Sequence, residues 1–483
     1  MIVLKFGGTS VGSLERVREA AAIAAAQPAP RAVVVSAASG VTNLLLEAGR
    51  QAASGDRVGM SATVQVIAGK HMTILEGLPD GADRKETAVR IGDLHTALEL
   101  TLADVAVAGE FSAKNSDRIV STGEKVMSLL MAATLRSRGY PAEAVFADRV
   151  IATDARYGSA RPEHDRTRAQ ADAIVRPLLD EGKTVVMTGF IGGAPDGTTT
   201  TLGRGGSDYS ATLLGAALHA DEVQIWTDVP GVLSADPRMV RDAREVPHLG
   251  FEEAQELAHF GAKVLHPRTI RPAVALDIPV RILSTFAPYE PGTLVTRESS
   301  SDYLKAVTVM KNLILLTVDV PELEDLSGAA SAVFGALYED RTEVVLAAQA
   351  SSRRRMTYLI EAGNYGGCNR LCSRIEEVLR EREYEVEIGC TEEVAVLAAV
   401  GQGAADQSRA LARMLGVLQR EGIPVLASNQ QLSNVAMVAA VPQSLADRGL
   451  LAIHDEFIGS RPSGAKLRRQ RRSRMMAESV QVG

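Results

Sequence analysis

The sequence predicts an α/β protein: a largely parallel sheet flanked by helices, followed by two smaller strand-and-helix units. Three observations predict it. Apolar, strand-like runs, at residues 2–6, 32–35, 183–193 and 222–227, each end in glycine or small hydroxyl residues, and most of them lead into a helix-like stretch. A Pro/Gly/Ser-rich segment at 290–302 breaks the chain. Beyond it, strand-like and helical runs recur twice in similar blocks. At 483 residues the chain also exceeds what one core supports.

Composition excludes several functions. With 46% hydrophobic residues and a net charge of −7, the chain reads as an ordinary globular protein whose main partner is not nucleic acid. It has no apolar run of membrane-spanning length and no signal-peptide pattern, so a cytoplasmic location and no membrane partner are expected. Cys368, Cys372 and Cys390 cannot make a complete disulfide framework, and no histidine lies near the Cys368/Cys372 pair to complete a zinc site. Free thiols and no metal ligands are therefore expected.

Taken in order, residues 2–6 form a strand broken only by Lys5, then Gly7-Gly8-Thr9-Ser10 and a helix capped imperfectly by Ser13. A strand, a glycine turn and a helix start make an anion site: bare N–H groups at a positive helix end, approached closely because Gly7 and Gly8 lack Cβ. Lys5 supplies a point charge to the same anion. The pattern is not a Walker loop. The second strand breaks at Ser36 into a loop with Thr42, where open α/β sheets bind ligands. Residues 55–109 read as helical. Glu124 falls near the start of an apolar helix, where a lone glutamate usually caps or is solvated unless a substrate ammonium needs a partner.

A buried strand over 183–193 ends in glycines, and the loop 197–208 carries Arg204-Gly-Gly-Ser207-Asp208 into a helix from Tyr209 to Leu218. Arg204 matches a carboxylate or phosphate with two parallel hydrogen bonds, and a charged pair spaced by Gly-Gly-Ser is hard to explain by packing. The strand at 222–227 leads through Thr227-Asp228 to Asp236-Pro-Arg238. A helix at 251–258 leads on to Lys263 and His266.

Five motifs in order, KFGGTSVG (5–12), SAASGVTNLL (36–45), LGRGGSDYSA (202–211), WTDVPGVLSADPR (226–238) and GAKVLHPRT (261–269), resemble the aspartate kinase family of the amino-acid kinase superfamily. The lysine-sensitive monofunctional type is the most similar. The resemblance covers about residues 1–295 and implies the amino-acid kinase fold followed by tandem ferredoxin-like ACT domains. It implies that Lys5, Gly7 and Gly8 hold the ATP phosphates with Lys263, that Asp208 positions the basic side chains, and that Lys5, Asp208 and Lys263 form the catalytic set. Ser36, Thr42, Glu124, Arg204 and Ser207 would bind L-aspartate, Glu124 through the α-ammonium and Arg204 through the α-carboxylate. Thr227, Asp228, Asp236 and Arg238 would line the rest of the nucleotide site. Leu233 stands where relatives carry tyrosine, which removes an aromatic contact to the nucleotide. The chemistry suits these residues: an ionised carboxylate acceptor needs no protein nucleophile, only two anions brought in line with their charge neutralised, Mg²⁺ being held mainly by the phosphates.

The expected divisions are a catalytic domain at 1–295, ACT units at 303–385 and 386–460, interleaved, and a basic, disordered tail at 461–483 holding seven basic residues against Glu478. The ACT units imply an amino-acid effector and a homo-oligomer. Where relatives carry polar effector ligands, residues 341–351 place Val345, Ala350, Ser351 and an added charge at Glu343, and 428–434 is also off pattern; weakened or altered feedback is expected. A Gly401-x-Gly403 pattern that imitates a dinucleotide fingerprint carries Asp406 in place of its third glycine and has too little chain behind it. By length, a fused homoserine dehydrogenase is not expected. Competing readings are another amino-acid kinase, which would lack the Glu124 and Arg204 context, and a non-catalytic amino-acid sensor, which would not need Lys5, Asp208 and Lys263.

Overall fold

The computed structural model of the chain describes residues 1–262, 267–297, 304–320, 326–350, 355–363, 365, 367–402, 407–429 and 435–459. The chain opens with β1 (Ile2–Phe6), α1 (Leu14–Ala26), β2 (Arg31–Val35), α2 (Val41–Ala53), α3 (Arg57–Glu76), α4 (Ala82–Ala108) and α5 (Ala113–Ser137). It continues through β3 (Ala142–Val145), α6 (His164–Asp180), β4 (Thr184–Thr188), β5 (Ile191–Gly193), β6 (Thr199–Thr201), α7 (Gly206–Leu218) and β7 (Glu222–Thr227). Next come β8 (His248–Gly250), α8 (Phe251–His259), α9 (Pro267–Ala275), β9 (Val280–Ser284) and β10 (Thr293–Thr296).

Eight of these strands form one sheet in the order β3-β4-β2-β1-β7-β9-β10-β8, parallel throughout except between β9 and β10. β1 is central because Val3, Leu4 and Phe6 are fully buried, as a strand covered on both faces requires. Its register sets Phe6 beside Val35 of β2 and Trp226 of β7. The carboxyl ends of β1, β2 and β7 therefore meet at one edge.

Three sequence expectations change here. The run 183–193 is not one strand: β4 stops at Thr188, Phe190 adopts a left-handed φ of 70°, and the chain turns into the antiparallel hairpin β5–β6. Glu124 is not near a helix start either. Ser112 caps α5, its hydroxyl accepting from Asn115 N at 3.3 Å, so Glu124 lies mid-helix. From Ile119 to Leu135 nearly every residue of α5 is buried, among them Met127, Leu130 and Met131, so the helix runs through the core. The helix expected from Tyr209 starts earlier, at Gly206.

The chain divides into two compact units, residues 1–232 with 247–254 and 264–299, and residues 233–246 with 255–263 and 300–483. The second contains β11 (Ala306–Asp319), α10 (Leu326–Glu339), β12 (Val344–Gln349), β13 (Arg355–Glu361), α11 (Cys368–Arg380), β14 (Glu387–Val400), α12 (Gln407–Arg420), β15 (Ala427–Asn429), β16 (Ala436–Pro442) and α13 (Gln443–His454). Its six strands form one antiparallel sheet, β12-β13-β11-β14-β16-β15. The long central strands β11 and β14 join the two repeated blocks. One core gathers Leu316, Val333 and Ile375. The other gathers Leu397, Leu418 and Leu450, with Ala235 and Val240 from the segment that carries Asp236 and Arg238.

The expectation of free thiols fails for two of the three cysteines. Cys368 and Cys390 are joined in a disulfide, and only Cys372 is free. Sequence spacing hid the pair because α11 packs across β14, which brings its first residue to within 5.8 Å Cα–Cα of a strand 22 positions away. Ser351, Asp406, Asn434 and the tail at 461–483 lie outside the described residues.

Candidate active site

A cleft of about 710 Å³ opens at the carboxyl edge of the parallel sheet, over the ends of β1 and β2. Its lining includes Lys5, Gly8, Ser36, Thr42, Glu124, Arg204, Ser207 and Asp208. Lys5, next to last in β1, reaches Asp208 in the first turn of α7, Nζ to Oδ1 at 2.6 Å. Both side chains are largely shielded, at 12% and 19% exposure, which strengthens the pair relative to a surface ion pair. Asp208 also sits where a helix favours negative charge.

The backbone around them is tight. A Cβ on Gly8 would lie 2.9 Å from the Ala37 carbonyl oxygen, so the turns after β1 and β2 touch there as only glycine allows. Gly203 and Gly205 hold left-handed φ values of 76° and 69°, which lets the chain bend twice around Arg204 before α7 begins. Arg204 is exposed and forms no ion pair with a described residue, leaving its fork of donors for an anion.

Glu124 presents a carboxyl from α5. Its carboxyl is 3% exposed; Oε1 accepts from Ala37 N at 3.2 Å and Oε2 has no partner. Burial pushes its pKa up to about 8, against a smaller opposing pull from the Ala37 N–H. A buried carboxyl with one unpartnered oxygen, opening on a cleft, is matched to a cation that arrives with the ligand.

The chain matches the model of the amino acid kinase family over residues 1–284 and that of an ACT domain over 397–457. It is 38% identical to the lysine-sensitive aspartokinase 3 of Escherichia coli over 72% of this chain and 75% of the relative. Its fold overlays that of E. coli aspartokinase III in complex with aspartate and ADP at a TM-score of 0.79, with 32% identity, 94% of this chain and 99% of the other covered. The chain belongs to the aspartokinases of the amino acid kinase family. It is also 32% identical to a chloroplastic bifunctional aspartokinase/homoserine dehydrogenase of Arabidopsis thaliana, over 95% of this chain but 51% of that protein. The chain spans about half the length of such bifunctional relatives.

Eight of the residues marked in the sequence thus meet in one cleft of this aspartokinase-family fold. Gly7 is not among the lining residues, and its N–H donates to the Trp226 carbonyl at 3.3 Å. Thr227 and Asp228, at the end of β7, bond to one another at 3.2 Å and do not line the cleft. Asp236 and Arg238 pair with each other within the second unit. Lys263 lies outside the described residues. Sequence reasoning missed Phe190, whose left-handed turn places it in the lining, and Asp117, a buried carboxylate on α5. The signal for Phe190 was its place after a buried strand; Asp117 showed none beyond its heptad spacing from Glu124. Among the described residues no cluster of three metal-ligating side chains occurs, and no helix is long and apolar enough to cross a membrane.

Proposed function

We propose that the protein is an aspartate kinase that transfers the γ-phosphoryl group of ATP to the β-carboxylate of L-aspartate, giving 4-phospho-L-aspartate. One observation carries this: a free guanidinium (Arg204) and a buried carboxyl with an unpartnered oxygen (Glu124) line the same cleft as the Lys5–Asp208 pair. Arg204 takes the α-carboxylate and Glu124 the α-ammonium, which leaves the β-carboxylate as the group free to react. The hydroxyls of Ser36, Thr42 and Ser207 complete the contacts to aspartate. Lys5, with Gly7, Gly8 and Lys263, holds the transferring phosphates, and Asp208 fixes the Lys5 ammonium in position. Thr227, Asp228, Asp236 and Arg238 serve the remainder of the nucleotide. The complex of E. coli aspartokinase III with aspartate and ADP supports this pair of ligands.

This transfer needs no protein nucleophile. The acceptor is already ionised near neutral pH, so the protein's part is to bring two anions together and neutralise their charge. The donors fit a nucleotide triphosphate: a lysine at a strand end, a glycine turn and the first turn of α7. Mg²⁺, carried mainly by the phosphates, supplies further charge neutralisation there. We further propose a cytoplasmic homo-oligomer whose ACT units, at 303–385 and 386–460, bind an amino-acid effector with altered feedback.

The test is ADP release with L-aspartate, succinate, L-glutamate and N-acetyl-L-glutamate as acceptors. Turnover with L-aspartate at least a hundredfold above the others is expected. Preference for a glutamate derivative would assign a different amino-acid kinase, and ATP binding without turnover on any acceptor would assign a sensor.

A further inference from the structure

Helix α5 does more in the first unit than present Glu124. Asp117 lies seven residues earlier, two turns and about 10 Å along the same helix face. Its side chain is 2% exposed and points at the strand that feeds Arg204. Oδ2 accepts from Gly158 N and from Thr201 N, each at 2.8 Å, and Oδ1 accepts from Thr201 Oγ1 at 2.7 Å. Burial raises the Asp117 pKa while these three donors oppose the rise.

A second cluster ties the other end of the same strand to the same helix. Lys125, next to Glu124, pairs with Asp148 at 2.7 Å, and Thr199 Oγ1 donates to that carboxylate at 2.8 Å. Strand β6 is thus held at Thr199 and at Thr201, and α5 supplies a charged group at each point. Three residues after Thr201 the chain reaches Arg204 through Leu202, whose N–H donates to the Phe190 carbonyl at 2.9 Å. The backbone that leads from the helix to Arg204 is thus bonded at Thr199, Thr201 and Leu202.

We infer that Asp117 is a positioning residue for the acceptor substrate: by clamping Thr201 to α5 it fixes the distance between Arg204 and Glu124, and with it the selectivity for an α-amino acid. The inference rests on the assignment of those two side chains to the substrate α-carboxylate and α-ammonium. One helix then measures both groups of the ligand, since it carries one partner itself and anchors the strand that leads to the other. An amide at 117 keeps the size of the side chain but faces the Gly158 and Thr201 N–H groups with one acceptor oxygen fewer.

The test uses the full-length Asp117→Asn enzyme, with Thr201→Val as a milder variant that loses only the hydroxyl bond. Expected for Asp117→Asn is a rise of tenfold or more in the KM for L-aspartate, with the KM for ATP unchanged and the circular-dichroism spectrum of the folded enzyme preserved; some loss in the thermal midpoint accompanies the buried N–H left unpaired. Discrimination against succinate, which lacks the α-ammonium, and against 3-aminopropanoate, which lacks the α-carboxylate, should shrink in parallel. Thr201→Val should show a smaller effect of the same kind. In an Arg204→Ala background the Asp117→Asn change should add less than twofold, because its effect passes through Arg204. Full additivity of the two substitutions, or equal losses in the KM values for aspartate and ATP, would overturn the inference alone. An Arg204→Ala enzyme with an unchanged KM for aspartate would overturn the site assignment and the inference with it.

Discussion

The elevated pKa of Glu124 makes aspartate affinity depend on pH in a calculable way. In the free protein the buried carboxyl titrates at about 8, so it is neutral across the physiological range. Once an ammonium lies against it, the ionised form is favoured, and binding expels the proton. Affinity is then complete above pH 8 and falls as pH drops below 8, by close to tenfold for each unit. Between pH 8 and pH 6 the dissociation constant for L-aspartate should rise roughly fiftyfold, and at pH 7 about 0.9 proton should be released per aspartate bound. Isothermal titration in two buffers of different ionisation enthalpy measures both quantities. Glu124→Gln should bind aspartate weakly at every pH and release no proton. The elevation also has a folding consequence of fixed sign. Stability from this group is fully present below the ordinary carboxyl value of 4.5 and is lost as pH rises towards 8. Affinity independent of pH from 6 to 8, with no proton released, would refute the role given to Glu124.

Other outcomes follow from the same geometry. Lys5→Ala removes the point charge at the phosphate site and should lower kcat by about a thousandfold or more with the circular-dichroism melt preserved; an active variant would refute the assignment. Gly8→Ala forces a Cβ against the Ala37 carbonyl, so steady-state kinetics should show at least a tenfold loss of kcat/KM as the two turns separate. His71 is fully buried beside His95, with rings stacked at 5.3 Å, and its pKa is lowered to about 3 by burial first and His95 second. Its contribution to stability is complete above pH 6.5 and is lost as pH falls, about 2 kcal/mol by pH 5. Hydrogen exchange of α3 and α4 amides should show the loss, and His71→Asn should abolish its pH dependence. Lysine at millimolar concentration should leave turnover within twofold of the uninhibited rate; strong inhibition would show that residues 341–351 retain an effector site.

Much of the cleft was legible because its residues sit at the carboxyl ends of buried strands, where a parallel sheet gathers distant positions at one edge. Lys5 and Ser36 are such residues, announced by short apolar runs that end in glycine or a small hydroxyl residue, whereas Arg204 follows the β5–β6 hairpin and was marked by its glycine-flanked loop. What stayed hidden depends on packing between elements rather than on patterns along one. Glu124 is perturbed because α5 is buried around most of its circumference, whereas its local sequence suggested a helix start. Asp117 gains its role only when β6 returns against the helix, in a hairpin that the chain enters through the left-handed backbone of Phe190. The Cys368–Cys390 pairing needs α11 laid across β14, which spacing cannot reveal.

The most direct measurement is to trap the product. Purified protein is incubated with Mg-ATP, L-aspartate and hydroxylamine, and the hydroxamate is identified by mass spectrometry. Aspartate β-hydroxamate formed in step with ADP, and absent from the Lys5→Ala enzyme, is the predicted result. ADP release without any hydroxamate, or a hydroxamate on the α-carboxylate, would contradict phosphoryl transfer to the β-carboxylate.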